Sequence, residues 1–218
     1  MYTKFPAYFC TGKFISTYTQ MKEKIIAKAT EMFLKLGFKS ITMDDIASEM
    51  CISKKTIYKY FINKEILIAE STEVMHRTVH EIIESVIARN YNPIKENFEI
   101  RKIFTKIFHT TETSPLYQLK KHYPEIYQKV ISEELHEGIR FLRHNLEKGI
   151  REGWYRSDIN VDVACKLYYM LSFAINENIK SEKEAQGLEI DALEYHTRAL
   201  ATEKGLAELK NQLSLTNS

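Results

Sequence analysis

Apolar residues recur along this chain at intervals of three and four, the spacing of helix faces. Ile25, Ile26, Ala29, Phe33 and Leu36 share one face of a first helix, starting at Thr19 or Met21 and stopping at Gly37. Ile46, Ala47 and Met50 form the inner face of a short second helix; Ile57 and Phe61, four apart, form that of a third. Thr42 and Ser53 stand where a side-chain oxygen can accept from an orphan N–H, so each predicts a helix start. Asp44 and Asp45 suit the positive end of the second helix. Between them Met50, Cys51 and Ile52 leave room only for a sharp turn.

After Phe61, Asn63 can cap a long helix from Lys64 to about Asn90, whose Val79, Ile82, Ile83 and Val86 face a larger body. The remaining helices are expected from Pro93 to about Thr111, Pro115 to Tyr123, Pro124 to Ile150, Val161 to about Lys183, and Leu188 to Leu200. The three prolines suit first-turn positions. Thr202 caps a last helix, Glu203 to Leu213. No strand pattern competes, and no repeat or low-complexity segment occurs. The division is an arm at 1–20, a helix-turn-helix domain at 21–66 and a helical body at 67–218.

Composition adds little by itself: 44% hydrophobic, 28% charged and a formal charge of +2 are ordinary for a soluble globular protein. The distribution of charge says more. Residues 21–64 hold nine Lys against five Asp or Glu, and Lys4 and Lys13 precede them, so the rest of the chain is net negative. A basic head on an acidic body fits DNA binding by one part alone. Cys10, Cys51 and Cys165 are odd in number and widely spaced, which suits a reducing cytoplasm. No apolar run is long enough to span a membrane, and residues 1–20 make a poor signal peptide. That basic, aromatic arm is expected to be flexible.

The third helix carries the chemistry. Ser53, Lys54, Lys55, Thr56, Tyr58, Lys59 and Tyr60 are all donors, and no acid falls between Cys51 and Lys64. Such a face suits phosphates and base edges. The run from Ile25 to Leu67 resembles the DNA-binding domain of the tetracycline-repressor (TetR) family of transcriptional regulators. The matching stretches are AxxMFLKLGF (Ala29 to Phe38), TMDDIA (Thr42 to Ala47) and SKKTIYKYFINKEIL (Ser53 to Leu67). One departure is Cys51, where that family usually has Gly; a side chain in a turn of positive φ carries a cost.

The resemblance implies an all-α fold: an N-terminal three-helix helix-turn-helix domain followed by a helical ligand-binding and dimerisation bundle. It implies a repressor that binds a palindromic operator as a homodimer and is released by a small-molecule ligand, with no other cofactor and no membrane partner. Lys55, Thr56 and Tyr58, joined by Lys54 or Lys59, are expected at base edges. Thr42, Ser53, Tyr60 and Lys64 are expected at phosphates. In that family the two penultimate helices pair with their twins; Ala164, Leu167, Leu171, Ala174, Ile175, Leu193 and Leu200, with Tyr195 beside them, supply the apolar stripes here. An effector cavity would draw on His109, Tyr117, Tyr123, Tyr127, Trp154, Tyr168, Tyr169, Phe173 and Asn176.

An enzyme reading has one hook. Glu73/His76 and Glu133/His136 are Glu-x-x-His pairs on different helices, the pattern of di-iron bundles. Taking Met75–Val79–Ile82 and Gln128–Ile131–Leu135–Ile139–Leu142–Leu146 as the inner stripes, both pairs point off-face, so no metal site is expected. His76 and His80, one turn apart with Glu84 beyond, have the spacing to bind a surface metal, but a solvated helix face is the stronger reading. No phosphate-cradling glycine loop, G-x-S-x-G or Cys–His arrangement occurs. A protein-interaction module that keeps the helix-turn-helix only as structure is the other rival; the uninterrupted cationic face argues against it.

Overall fold

The computed structural model describes residues 17–108 and 111–216. Among the described residues ten helices form and no strand: α1 Thr17–Leu36, α2 Met43–Glu49, α3 Lys54–Tyr58, α4 Lys64–Ile87, α5 Pro93–Phe108, α6 Pro115–His122, α7 Pro124–Arg151, α8 Val161–Asn178, α9 Glu182–Leu200 and α10 Glu203–Thr216. The expected arm at 1–20 lies outside the described residues, except that Thr17–Gln20 belong to α1.

The head forms because its local signals agree. Gly37, at φ +91°, ends α1 with its N–H on the Phe33 carbonyl (2.8 Å), a left-handed cap that glycine adopts without a Cβ penalty. Thr42 makes a full capping box: its Oγ1 accepts from the Asp45 N–H while the Asp45 carboxylate accepts from the Thr42 backbone. The Thr42 hydroxyl, and with it the Thr42 backbone N–H, donates to the Asp45 carboxylate and holds that carboxyl below the usual range, with the nearby Lys64 charge adding to them. Ser53 caps α3 and Asn63 caps α4 through their own side chains. Ile25, Phe33, Ile46, Ile57 and Phe61 are fully buried in one core with Leu67 and Ile68 of α4.

That core does not end at the head. Leu119 of α6 and Tyr127 of α7 are buried in it. Gln118 donates to the Thr113 carbonyl and accepts from the Phe38 N–H (2.8 Å), binding α6 to the loop after α1. α4 is therefore one of two mechanical links between head and body.

In the body α7 packs on α8, α8 on α9, and α10 closes against α5 and α9. Two isolated antiparallel bridges, Thr113 with Ser181 and Tyr155 with Ala201, tie loops together. The α8–α9 boundary differs from the expected one. α8 ends at Asn178, Ser181 caps α9, and Gly187, which lies between the two predicted helices, sits inside α9. Ser181 with Glu182 and Glu184 in the following turn is a stronger start signal than the later apolar run.

Candidate nucleic-acid interface and body cavity

α2 and α3 are joined by a turn in which Cys51 takes φ +54°, the left-handed region. The turn is closed by Cys51 N–H on the Ser48 carbonyl and Ile52 N–H on the Ala47 carbonyl, both 3.0 Å. α3 is only five residues long, so Lys59 and Tyr60 lie in the tight turn after it and not on the helix proper. Ile57 anchors the inner side; Ser53, Lys54, Lys55, Tyr58 and Lys59 are exposed together on the outer side, with Thr56 half-buried.

Their hydrogen bonds divide the work. The Ser53 and Thr56 hydroxyls meet at 2.7 Å, and Ser53 Oγ also accepts from the Thr56 N–H. Lys54 Nζ sits 2.7 Å from Asp44 of α2, and that hydrogen bond raises its pKa. Lys64 is half-buried at the start of α4, with Nζ donating to the Lys39 carbonyl (3.2 Å); burial pushes its pKa down. Sequence reasoning missed Tyr18, whose ring stacks on Tyr60 at 4.5 Å and fixes it from α1. No local pattern signals it, because the contact spans forty residues.

The body holds a cavity of about 230 Å³, enclosed by α4 to α9. Tyr168, Tyr169, Phe173 and Asn176 line it, as expected. Tyr117, Tyr123, Tyr127 and Trp154 do not. Tyr123 and Tyr127 pack against the head core, with the Tyr127 hydroxyl on Glu177; Tyr117 lies beneath Lys121; Trp154 lies under Lys204. Being aromatic on an amphipathic helix does not say which of several cores a ring joins. His109 lies outside the described residues.

The polar lining comes from residues with no motif. Arg101 and Glu189 form an ion pair across α5 and α9, and Asn176 Nδ2 donates to Glu189 at 2.7 Å. Burial works against the Arg101 charge, but Glu189 and the Tyr168 hydroxyl outweigh it. His76 and His80 of α4 also reach the cavity, opposite Glu134 of α7. The off-face expectation for Glu73/His76 therefore fails for His76. α4 buries a wide arc in which Thr72, His76 and His80 follow one another at four-residue steps. On α7 the inner face is turned from the expected stripe: Glu134 and Gly138 face in, while Leu135 is 37% exposed. Glu73 stays outside, paired with Lys129, and His136 is exposed, as expected. His76, His80 and Glu134 are the one group among the described residues with metal-ligating geometry; the third member comes from α7, not from Glu84 of the same helix, and the favoured solvated-face reading of the two histidines fails.

The dimer stripe needs a similar correction. Ala164, Ile175, Leu193 and Leu200 are buried inside the protomer. Leu167, Leu171 and Ala174 are exposed, in line with Val163 and Met170 on α8, and beside Leu188 and Tyr195 of α9. α8 is apolar on two faces, and periodicity alone merges them.

Fold and outer face together define a helix-turn-helix regulator. Residues 25–71 match the family model of the bacterial regulatory proteins, tetR family. The biofilm operon icaADBC negative transcriptional regulator IcaR of Staphylococcus aureus is 24% identical over 147 residues, 65% of this chain and 73% of that protein. The uncharacterized regulator YhgD of Bacillus subtilis is 27% identical, over 70% of this chain and 82% of its own. A transcriptional regulator from Cytophaga hutchinsonii superposes with a TM-score of 0.68 at 15% identity, covering 83% of this chain and 98% of its own. A gamma-butyrolactone receptor does so with a TM-score of 0.63 at 17% identity, over 89% and 95%. Residues 25–71 thus carry a DNA-binding domain of the tetR family, and the relatives to which the longer chain is similar are transcriptional regulators. No helix among the described residues is long and apolar enough to cross a membrane.

Proposed function

We propose that the chain is a repressor that binds a palindromic operator as a homodimer and lets go when a small molecule enters the body cavity. The observation that carries the DNA reading is the exposed outer side of α3, where Lys54, Lys55, Tyr58 and Lys59 stand together with no acid between Cys51 and Lys64. Lys55 and Tyr58, with Thr56, read base edges; Thr42, Ser53, Tyr60 and Lys64 meet phosphates; Lys54, held by Asp44, and Lys59 flank the readers. The IcaR relative is a negative regulator, which supports repression.

The exposed α8 stripe, from Val163 through Leu167 and Met170 to Ala174, supports pairing with a second copy. In such a dimer two recognition helices about 34–36 Å apart meet half-sites one turn apart. The cavity supports an effector that is largely apolar, with one polar end for Arg101 and Glu189. A Thermus thermophilus FadR with lauroyl-CoA, TM-score 0.53, shares the fold.

The test is a gel shift on the DNA flanking this chain's own gene, with random competitor at two salt concentrations. Binding should survive competitor, and Lys64→Ala should weaken all sequences alike, lowering the salt slope by about 0.9. Lys55→Ala should cost operator binding by about 1–3 kcal/mol and spare random DNA. Equal losses on both DNAs would remove Lys55 from base reading.

A further inference from the structure

We propose that His76, His80 and Glu134 form a binding site for one divalent transition-metal ion of the zinc, cobalt or nickel class, which bridges α4 to α7. The two imidazoles stand one turn apart on α4, with ring centroids 4.0 Å from each other. The Glu134 carboxylate enters from α7: His76 Nδ1 lies 2.7 Å from one of its oxygens and His80 Nε2 lies 3.9 Å from the other. One ligand atom from each residue falls within 4.8 Å of the other two. A tetrahedral ion with bonds of about 2.0–2.2 Å sets its ligand atoms about 3.3 Å apart, so closing on it asks for side-chain shifts of about 1 Å.

The donor set selects the metal. Two imidazoles and a carboxylate suit zinc, cobalt or nickel, whereas magnesium and calcium want oxygen throughout. Three protein ligands leave a fourth position, and here it opens toward the cavity. The surroundings hold the ligands in place. Phe141 sets its ring against His80, with centroids 5.4 Å apart. Gly138, one turn beyond Glu134, lets the Tyr169 hydroxyl come in against the α7 backbone, where a Cβ would meet it.

The placement gives the ion a lever. α4 starts at Lys64 beside the recognition helix, so an ion joining its middle to α7 fixes the tilt of a helix that carries the head. Metal and DNA would then change each other's affinity by the same factor. This coupling rests on the DNA-binding reading; the site itself does not.

The experiment titrates Co(II) into the untagged, metal-stripped full chain and follows the visible bands of tetrahedral cobalt, then displaces it with Zn(II). One ion per chain is expected. His76→Gln, His80→Gln and Glu134→Gln should each weaken it at least about tenfold, while His136→Gln, altering an exposed histidine two residues from Glu134, should not. Circular dichroism checks that the variants fold. No tetrahedral band in the wild-type chain, or equal affinity in all four variants, overturns the site. A gel shift with and without Zn(II) then tests the coupling: unchanged operator affinity overturns it and leaves the site standing. No specific DNA binding at all would defeat the functional reading instead, and the cobalt titration would still decide the site.

Discussion

The head and the body bury different things. The head core is built from aliphatic and phenyl side chains such as Ile25, Phe33, Ile46, Ile57 and Phe61, all fully enclosed. Among the described residues every buried charged side chain belongs to the body: Glu96, Lys148, Glu182 and Glu189. A core of the first kind is a rigid mount whose polar groups stay at the rim. One of the second kind keeps charges out of water at a cost, and such groups are held where something is to be bound or sensed. The contrast places an all-apolar core in one region and the buried charges in the other.

The largest expected effect tests the first half of that contrast. Phe61→Ala removes a ring that closes the head core and lies beneath Lys22. It should cost about 3–5 kcal/mol in denaturant unfolding. Operator binding should be lost with it. A loss under about 1 kcal/mol would mean that the head draws its rigidity from the α6 and α7 contacts, not from its own core.

The body's charges are tested next. Lys148 Nζ donates to the Tyr91 carbonyl at 2.6 Å and lies 3.5 Å from the Glu96 carboxylate, which also accepts from Asn145. Lys148→Met strands that carboxylate and should cost about 3 kcal/mol. Adding Glu96→Leu to Lys148→Met should recover a large part of it, since an apolar pair leaves no buried charge. Additive losses in the double-mutant cycle would show that the pair does not act as a unit.

How far each region could be read from sequence follows the same divide. Thr42, Ser53 and Asn63 act within three residues of themselves, so their capping roles are written locally and the structure has them as expected. The metal-ligating group is not local: Glu134 is far from His76 in sequence, and His76 lies about 100° from the Met75 stripe. The direction argument fails because α4 is walled by neighbours over more than one stripe. Leu193 and Leu167 show a related limit. Both are leucines at helical spacing on neighbouring helices, yet one is 3% exposed and the other 60%. Only the packing of α7, α8 and α9 separates them.

A smaller effect is expected from pH. Burial pushes the His196 imidazole down to about 4, and its Nε2 has no partner while the ring lies 4.9 Å from Tyr168. In the unfolded chain the group titrates near 6.5, so between about 6.5 and 4 the unfolded state binds more protons. Stability should fall as pH drops through that window, by at most about 1.4 kcal/mol per pH unit from this one group. His196→Phe keeps the ring contact and should flatten that part of the curve. An unchanged slope in the variant would assign the loss to other body groups.

The smallest effect returns to the turn of the head. Cys51 at φ +54° occupies the one conformation in the helix-turn-helix that its side chain resists. A non-glycine residue there carries about 1–2 kcal/mol of strain. Glycine would remove it but brings an unfolded-state entropy cost of about 0.5–1 kcal/mol. Cys51→Gly should therefore stabilise the chain by about 0.5–1 kcal/mol, read as a shift in the unfolding midpoint with no change in slope. The thiol is exposed and the turn hydrogen bonds run through backbone, so nothing else in the head should move. Destabilisation would mean that Cys51 holds the turn through its side chain. The head would then depend on more than its core and caps, and the contrast with the body would narrow.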